Sequence, residues 1–257
     1  MKHLLICSAA FLTSGLTLFS GFGLGTLLLP VFALFFAMEV AVGLTAIVHF
    51  LNNLFKLGLV GRHADRKVAM RLGIPAILAS FFGARLLMWL ADVGPLARYQ
   101  AFGRELYVTP VKLSIGVLMT LFALLELVPA LEKLSFDRRY LPLGGVLTGF
   151  FGGLSGHQGA LRSAFLIRCG LSKEAFIGTG VVVACLVDFT RLGVYAAKFP
   201  AAELRANGGL LAAASVSAFL GAWVGSRLIH KVTMHAVQWT VAVMLLVIAI
   251  GLAAGII

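Results

Sequence analysis

The chain has 257 residues, 60% of them hydrophobic and only 12% charged, with a mean hydropathy of +1.01. Soluble domains average about 45–50% apolar and about 25% charged, so the composition argues against a large soluble domain and against an enzyme whose active site lies outside a membrane. The net charge of +11 would suggest nucleic acid in a soluble protein, but no aromatic–basic platform or nucleic-acid motif accompanies it.

A bilayer core needs about 20 apolar residues per helical span. Apolar stretches lie near 4–24, 25–37, 40–60, 68–91, 108–128, 141–168, 173–196, 208–229 and 236–257. They give seven to eight transmembrane helices, depending on how 4–37 and 141–168 are counted. The runs are continuous rather than alternating, which favours helices over barrel strands. The expected fold is an all-α polytopic membrane protein, multi-pass in the cell membrane, with the bilayer as its first partner. Lys2 and His3 before an apolar run have the look of a signal peptide, but the Gly-rich end of that run has a counterpart deep in the chain, so it reads as part of the body. Between the spans, Arg62, Arg66, Lys67 and Arg71, then Lys133, Arg138 and Arg139, mark 61–71 and 129–140 as cytoplasmic loops. Arg85 and Arg227 lie near span ends beside Trp89 and Trp223 and read as interfacial anchors. Cys7, Cys169 and Cys185 lack the pattern of a disulfide framework. The six histidines lack the spacing of a metal site, and no cofactor is expected.

Sliding the chain by 135 residues brings Gly21 onto Gly156, Glu39 onto Glu174, Gly43 onto Gly178, Asn53 onto Asp188, Lys56 onto Arg191 and Gly58 onto Gly193. Identity is low; the coinciding polar residues, rare in such a chain, carry the match. At a shift of 142, Gly83 and Arg85 fall on Gly225 and Arg227. Two pseudo-symmetric repeats follow, 1–134 and 135–257, in one membrane domain. If 4–37 and 141–168 are each a single broken span, the repeats are parallel and both termini cytoplasmic. If each folds back as a re-entrant hairpin, the repeats are inverted and both termini lie outside. The basic loops are cytoplasmic either way, so charge does not choose.

Gly21, Gly23 and Gly25, in the run from Gly21 to Pro30, interrupt the first half. Gly156 and Gly159, in the run from Gly152 to Arg162, interrupt the second. A glycine costs a helix about 1 kcal/mol relative to Ala. Close packing through small residues is one reason to accept that cost. A broken helix whose freed backbone groups face a substrate cavity is the other. Matching clusters in both halves, the second carrying His157, Gln158 and Arg162, favour the broken helix. These motifs resemble those of the sulfite exporter TauE/SafE family of membrane permeases. Each half of that family opens with a Gly-rich stretch that ends in a Pro. Gly21 to Pro30 matches the first copy and Gly153-Leu154-Ser155-Gly156 the opening of the second. The resemblance covers roughly 10–255 and implies export of sulfite, an organosulfonate or a related small anion. In the second motif His157 and Gln158 interrupt the glycines and no Pro follows, which departs from the family pattern.

An ionisable residue at mid-membrane costs about 2.5–3.5 kcal/mol on insertion scales. Asn53 and Lys56 share one face of a span, as do Asp188 and Arg191. Asp188 and Arg191 can neutralise one another. Lys56 has no such acid, and snorkelling to the interface is its alternative. Arg162 has no acid within a turn and would sit in the first turn of a helix that restarts near 157–160, where a cation is unfavourable without an anion. His157 and His49 read either as donors or as satisfied buried side chains. Lys56, Arg162 and Arg191 against Asp188 leave the interior about +2, a sign that suits a small anionic substrate. The expected substrate site is therefore Asn53, Lys56, His157, Gln158, Arg162, Asp188 and Arg191, at the interface of the halves. No G-x-x-x-x-G-K-[ST] phosphate loop occurs, so secondary transport is expected. A channel or cation-coupled permease for another solute is the alternative. A membrane enzyme is disfavoured for want of a catalytic set, and association with further copies of the chain stays open.

Overall fold

A computed structural model describes residues 2–16, 24–101, 103–127, 135–198, 201–228 and 234–256. Its helices are α1 (Lys2–Leu16), α2 (Leu24–Ala33), α3 (Met38–Val60), α4 (Arg66–Asp92), α5 (Pro110–Leu127), α6 (Leu141–Ser155), α7 (Gly159–Leu166), α8 (Lys173–Ala196), α9 (Ala201–Ala206), α10 (Gly208–Leu228) and α11 (Met234–Ala253). Among the described residues, four of them, α3, α4, α8 and α10, are long and apolar enough to cross a membrane; α2 and part of α5 are shorter apolar helices. Exposed Leu78, Phe82, Trp89, Phe189 and Val247 give the bundle an apolar outer surface that suits lipid rather than water. One local departure from an all-helical chain stands out. The segment between α4 and α5 is a two-stranded antiparallel hairpin, β1 (Ala97–Ala101) and β2 (Arg104–Val108). Alternating polar and aromatic residues there have no helical apolar stripe, and Gly103 takes a φ of 71° in the turn. Tyr107 Oη donates to Glu105 at 2.7 Å, and that carboxylate pushes the phenol above its ordinary range.

The apolar segments around the two glycine motifs fold back on themselves. Phe136, ahead of α6, donates its N–H to Ala164 in α7 at 3.0 Å, and its ring stacks on Phe165 at 4.4 Å. A Cβ on Gly144 would come within 2.4 Å of the Phe165 ring, so α7 returns to the end where α6 began. In the first half, Lys2 at the start of α1 sits over the ring of Phe36, beyond the end of α2, at 3.9 Å. With 15, 10, 15 and 8 residues, the four hairpin helices are at most about 22 Å long, short of a core about 30 Å thick.

Helix directions follow from the contacts. Gly145 meets Leu72, Gly149 meets Ala76 and Gly153 meets Ser80, so α6 runs parallel to α4; Gly221 meets Phe11 and Gly225 meets Gly15, so α1 runs parallel to α10. Gly178 near the start of α8 abuts Val60 and Ala64, and Asn53 reaches Asp188, so α3 and α8 cross antiparallel. Gly116 meets Ala249 and Ala253 while Tyr107 lies by Gly255, so α5 and α11 are antiparallel too. One end of the bundle therefore gathers the β-hairpin, the 34–37 turn, the Lys198–Asp92 ion pair and both chain ends. The other gathers the basic segments around 61–71 and 135–140 and the Arg168–Ser135 contact.

Candidate functional site

The two hairpins meet where α2 begins and α6 ends. Gly25, at the start of α2, faces the carbonyl of Gly156 and the ring of His49; a Cβ there would lie 3.5 and 3.6 Å from them. Gly156 ends α6 with a φ of 84°, a left-handed conformation open to glycine. A Cβ on it would also fall 2.7 Å from Arg191 Nη1. After Gln158 the chain restarts as α7, with Gly159 as its first residue, no side-chain cap and Arg162 in the first turn. The helix break expected from Gly156 and Gly159 is there. Gly21 and Gly23 lie outside the described residues.

The structure brings Asn53, Gln158, Asp188 and Arg191 together around one carboxylate. Asp188 is fully buried. Its Oδ1 accepts from Arg191 Nε at 3.0 Å and from Gln158 Nε2 at 3.3 Å, with Arg191 Nη2 at 2.8 Å. Its Oδ2 accepts from Asn53 Nδ2 at 3.0 Å and faces His49 Nδ1 at 2.6 Å. Four residues from α3, the α6–α7 break and α8 thus meet at one acid, because an isolated buried charge is far costlier than a paired and hydrogen-bonded one. Arg191 is spent on this duty: it is fully buried, paired with Asp188, and reaches the Gly152 carbonyl at 3.4 Å. Tyr195, one turn further along α8, donates to the Gly153 carbonyl and fastens α8 to the same turn.

Lys56 and Arg162 differ from Arg191. Lys56 is buried rather than snorkelling. With the Asn52 amide oxygen turned toward it, its Nζ donates to Asn52 at 3.2 Å. Arg162 is half-buried, donates to Gln158 Oε1 at 3.2 Å and passes beside Gly180. Neither makes an ion pair among the described residues, and the two lie within electrostatic range of each other. Gln158 links the two groups, with its amide nitrogen on Asp188 and its oxygen on Arg162. His157 takes another direction. Its Nδ1 meets Ser155 Oγ at 3.0 Å, and its ring stacks on Phe122 of α5 at 5.5 Å. Its Nε2 is buried without a partner among the described residues.

The same constellation contains three residues that the sequence reading left out of the site. His49 is Asp188's nearest partner, and its signal was position: one turn before Asn53, on the same face of α3. Asn52 and Ser14 bond to each other at 3.1 Å beside Lys56; Asn52 stands with His49 and Asn53 on one polar stretch of α3, four residues before Lys56, while nothing in the spacing of Ser14, on α1, pointed to it. Among the described residues no cluster of His, Cys, Asp and Glu could hold a metal ion.

The family profile described as sulfite exporter TauE/SafE matches residues 6–252, nearly the whole chain. The chain belongs to the TauE/SafE family. It is accordingly a multi-pass membrane protein of a transporter family, as the glycine motifs implied. No curated protein and no solved structure matches it.

Proposed function

We propose that this TauE/SafE protein is a secondary transporter, an exporter of a small anion such as sulfite, an organosulfonate or a related oxyanion, and that the anion binds where the two hairpins meet, against Lys56 and Arg162. One observation carries the reading. Two cations lie within electrostatic range of each other inside an apolar bundle, with amide hydrogen-bond partners and no ion pair among the described residues, while the neighbouring acid makes its direct bonds to Arg191 and His49. Such a pair repels itself until an anion arrives. The uncapped start of α7 adds N–H groups and the positive end of a helix dipole beside Arg162. Gln158 orients the site and ties it to Asp188.

The architecture we propose around it has six crossing helices (α3, α4, α5, α8, α10 and α11) and two re-entrant hairpins, arranged as inverted repeats 1–134 and 135–257. Three observations support this. Helices α3 and α8, which overlay at the 135-residue shift, run in opposite directions. Asn53 and Asp188 are separated by that same 135 residues and touch, as paired positions do beside a two-fold axis. The contact of Gly83 with Phe150 recurs as that of Gly225 with Gly15, positions related by the shifts of 142 and 135. Substrate sites at repeat interfaces, formed by broken helices, are the general arrangement for such transporters.

The test is anion flux and binding in proteoliposomes with Arg162→Ala. A charge-assisted hydrogen bond is worth about 1.5–3 kcal/mol, so affinity for sulfite is expected to fall by roughly 10- to 100-fold with insertion unchanged. Unchanged affinity in a normally inserted variant makes Arg162 an interfacial anchor and removes the site. Moving one charge through 100 mV is worth about 2.3 kcal/mol, so efflux that carries net negative charge is also expected to slow when the potential is collapsed.

A further inference from the structure

The geometry points to His49–Asp188 as a proton site that fills when the anion binds, so that anion and proton are taken up together; this rests on the anion reading above. His49 and Asp188 face each other where α3 and α8 cross antiparallel, Nδ1 to Oδ2 at 2.6 Å, with both side chains buried. The imidazole is held on three sides. Gly25 at the start of α2 lies against its carbons, the Asn53 amide nitrogen sits 3.1 and 3.4 Å from its two nitrogens, and Asp188 closes the third side. Among the described residues, these charged and titratable groups act on it or on its partners. Lys56 comes from its own helix; Asp188, Arg191 and Cys185 from α8; Arg162 from α7; and His157 from the hairpin break. Ser14 of α1 and the Ala218 carbonyl of α10 are neutral.

With the imidazole neutral, Lys56, Arg162 and Arg191 against Asp188 leave an excess of positive charge. A proton on His49 raises that excess, which an apolar bundle resists until an anion supplies the opposite charge. Anion binding must then favour the proton by the same factor that the proton favours the anion. Histidine is the side chain whose charge changes near neutral pH. Asp188 is the poorer acceptor of the proton, because its oxygens already receive from Arg191, Gln158, Asn53 and His49 and a proton would displace one of them. The incoming proton takes Nε2, where the Asn53 amide nitrogen, 3.4 Å away, gives up its weaker contact and keeps its bond to Asp188, while Nδ1–H keeps its own bond to Asp188. The imidazolium then faces a carboxylate, and the proton returns to water when the anion leaves.

The experiment measures protons taken up per anion bound, with the purified full chain in detergent and sulfite as the probe. Titration calorimetry is run near neutral pH in two buffers of different ionisation enthalpy. His49→Gln keeps a donor toward Asp188 and cannot take the proton. The wild type is expected to take up roughly one proton more per anion than His49→Gln. Beyond sulfite's own ionisation, its affinity should fall toward a limit of roughly tenfold per pH unit as pH rises, and that dependence should be lost in the variant. Equal proton uptake by the two proteins overturns the proton site and leaves the anion site standing. Absence of sulfite binding by the wild type overturns the anion reading and this inference with it. Should His49→Gln not fold, the wild type decides alone: uptake fully accounted for by sulfite's own ionisation overturns the proposal.

Discussion

At the scale of single residues, the polar side chains divide by whether the protein itself neutralises them. Arg191 and Asp188 form a closed pair inside α8. Removing one member of a buried pair costs about 3–5 kcal/mol, because it strands the other charge. Arg191→Ala is therefore expected to lower the thermal unfolding midpoint in detergent sharply, and adding Asp188→Asn should recover part of the loss. A double variant no more stable than Arg191→Ala would mean that Arg191 acts by bracing the Gly152–Gly156 turn rather than by neutralising the acid. Lys56 and Arg162 make no ion pair among the described residues, and their substitution is expected to be felt in anion affinity before stability.

At the scale of elements, glycine has two opposite meanings here, which its neighbours distinguish. Gly149 of α6 lies on the α4 backbone: a Cβ would come 2.1 Å from the Ala76 carbonyl oxygen. Gly58 of α3 has nothing within 4 Å of the same position. Overpacking costs about 1–3 kcal/mol, whereas Gly→Ala at an open helical site adds about 0.4–1 kcal/mol of stability. Gly149→Ala should separate α4 from α6 and lower the detergent melting temperature, while Gly58→Ala should leave it level or raise it. If the two variants melt alike, the close α4–α6 approach is wrong. The close packing offered as the alternative to a helix break thus describes Gly145, Gly149 and Gly153, while Gly156 at the turn serves the break.

At the scale of the whole molecule, the hairpins decide topology. Because each glycine-motif segment returns to the end it started from, both chain ends lie opposite the basic loops. Single cysteines introduced at 3 and at 256, in a chain with its native cysteines replaced, are expected to react with an impermeant thiol reagent applied outside intact cells. One at 63 should react only after permeabilisation. Termini that label only from the inside would overturn the inverted arrangement.

Hydropathy and glycine placement alone marked a multi-pass membrane chain, the long apolar helices such as α3, α4, α8 and α10, and a break at the second glycine motif. Each of these is a local property: hydropathy over about 20 residues, and the conformation open to Gly156. The sequence also marked Asn53, Gln158, Asp188 and Arg191 as polar residues in apolar surroundings, because each needs a partner whatever the fold. The partners themselves needed tertiary structure. His49 finds Asp188 across an antiparallel crossing, and Asn52 finds Ser14 from α1 to α3, so no spacing along the chain encodes either, whereas Asn52 and Lys56 are four residues apart on α3. His157 points to Phe122 although it neighbours Gln158, since adjacent residues at a sharp turn face different helices. The direction of α2 and α7 was likewise undecidable from hydropathy, which is the same for a helix that continues and one that returns. Contacts such as Phe136 on Phe165, between residues far apart in the chain, made that choice.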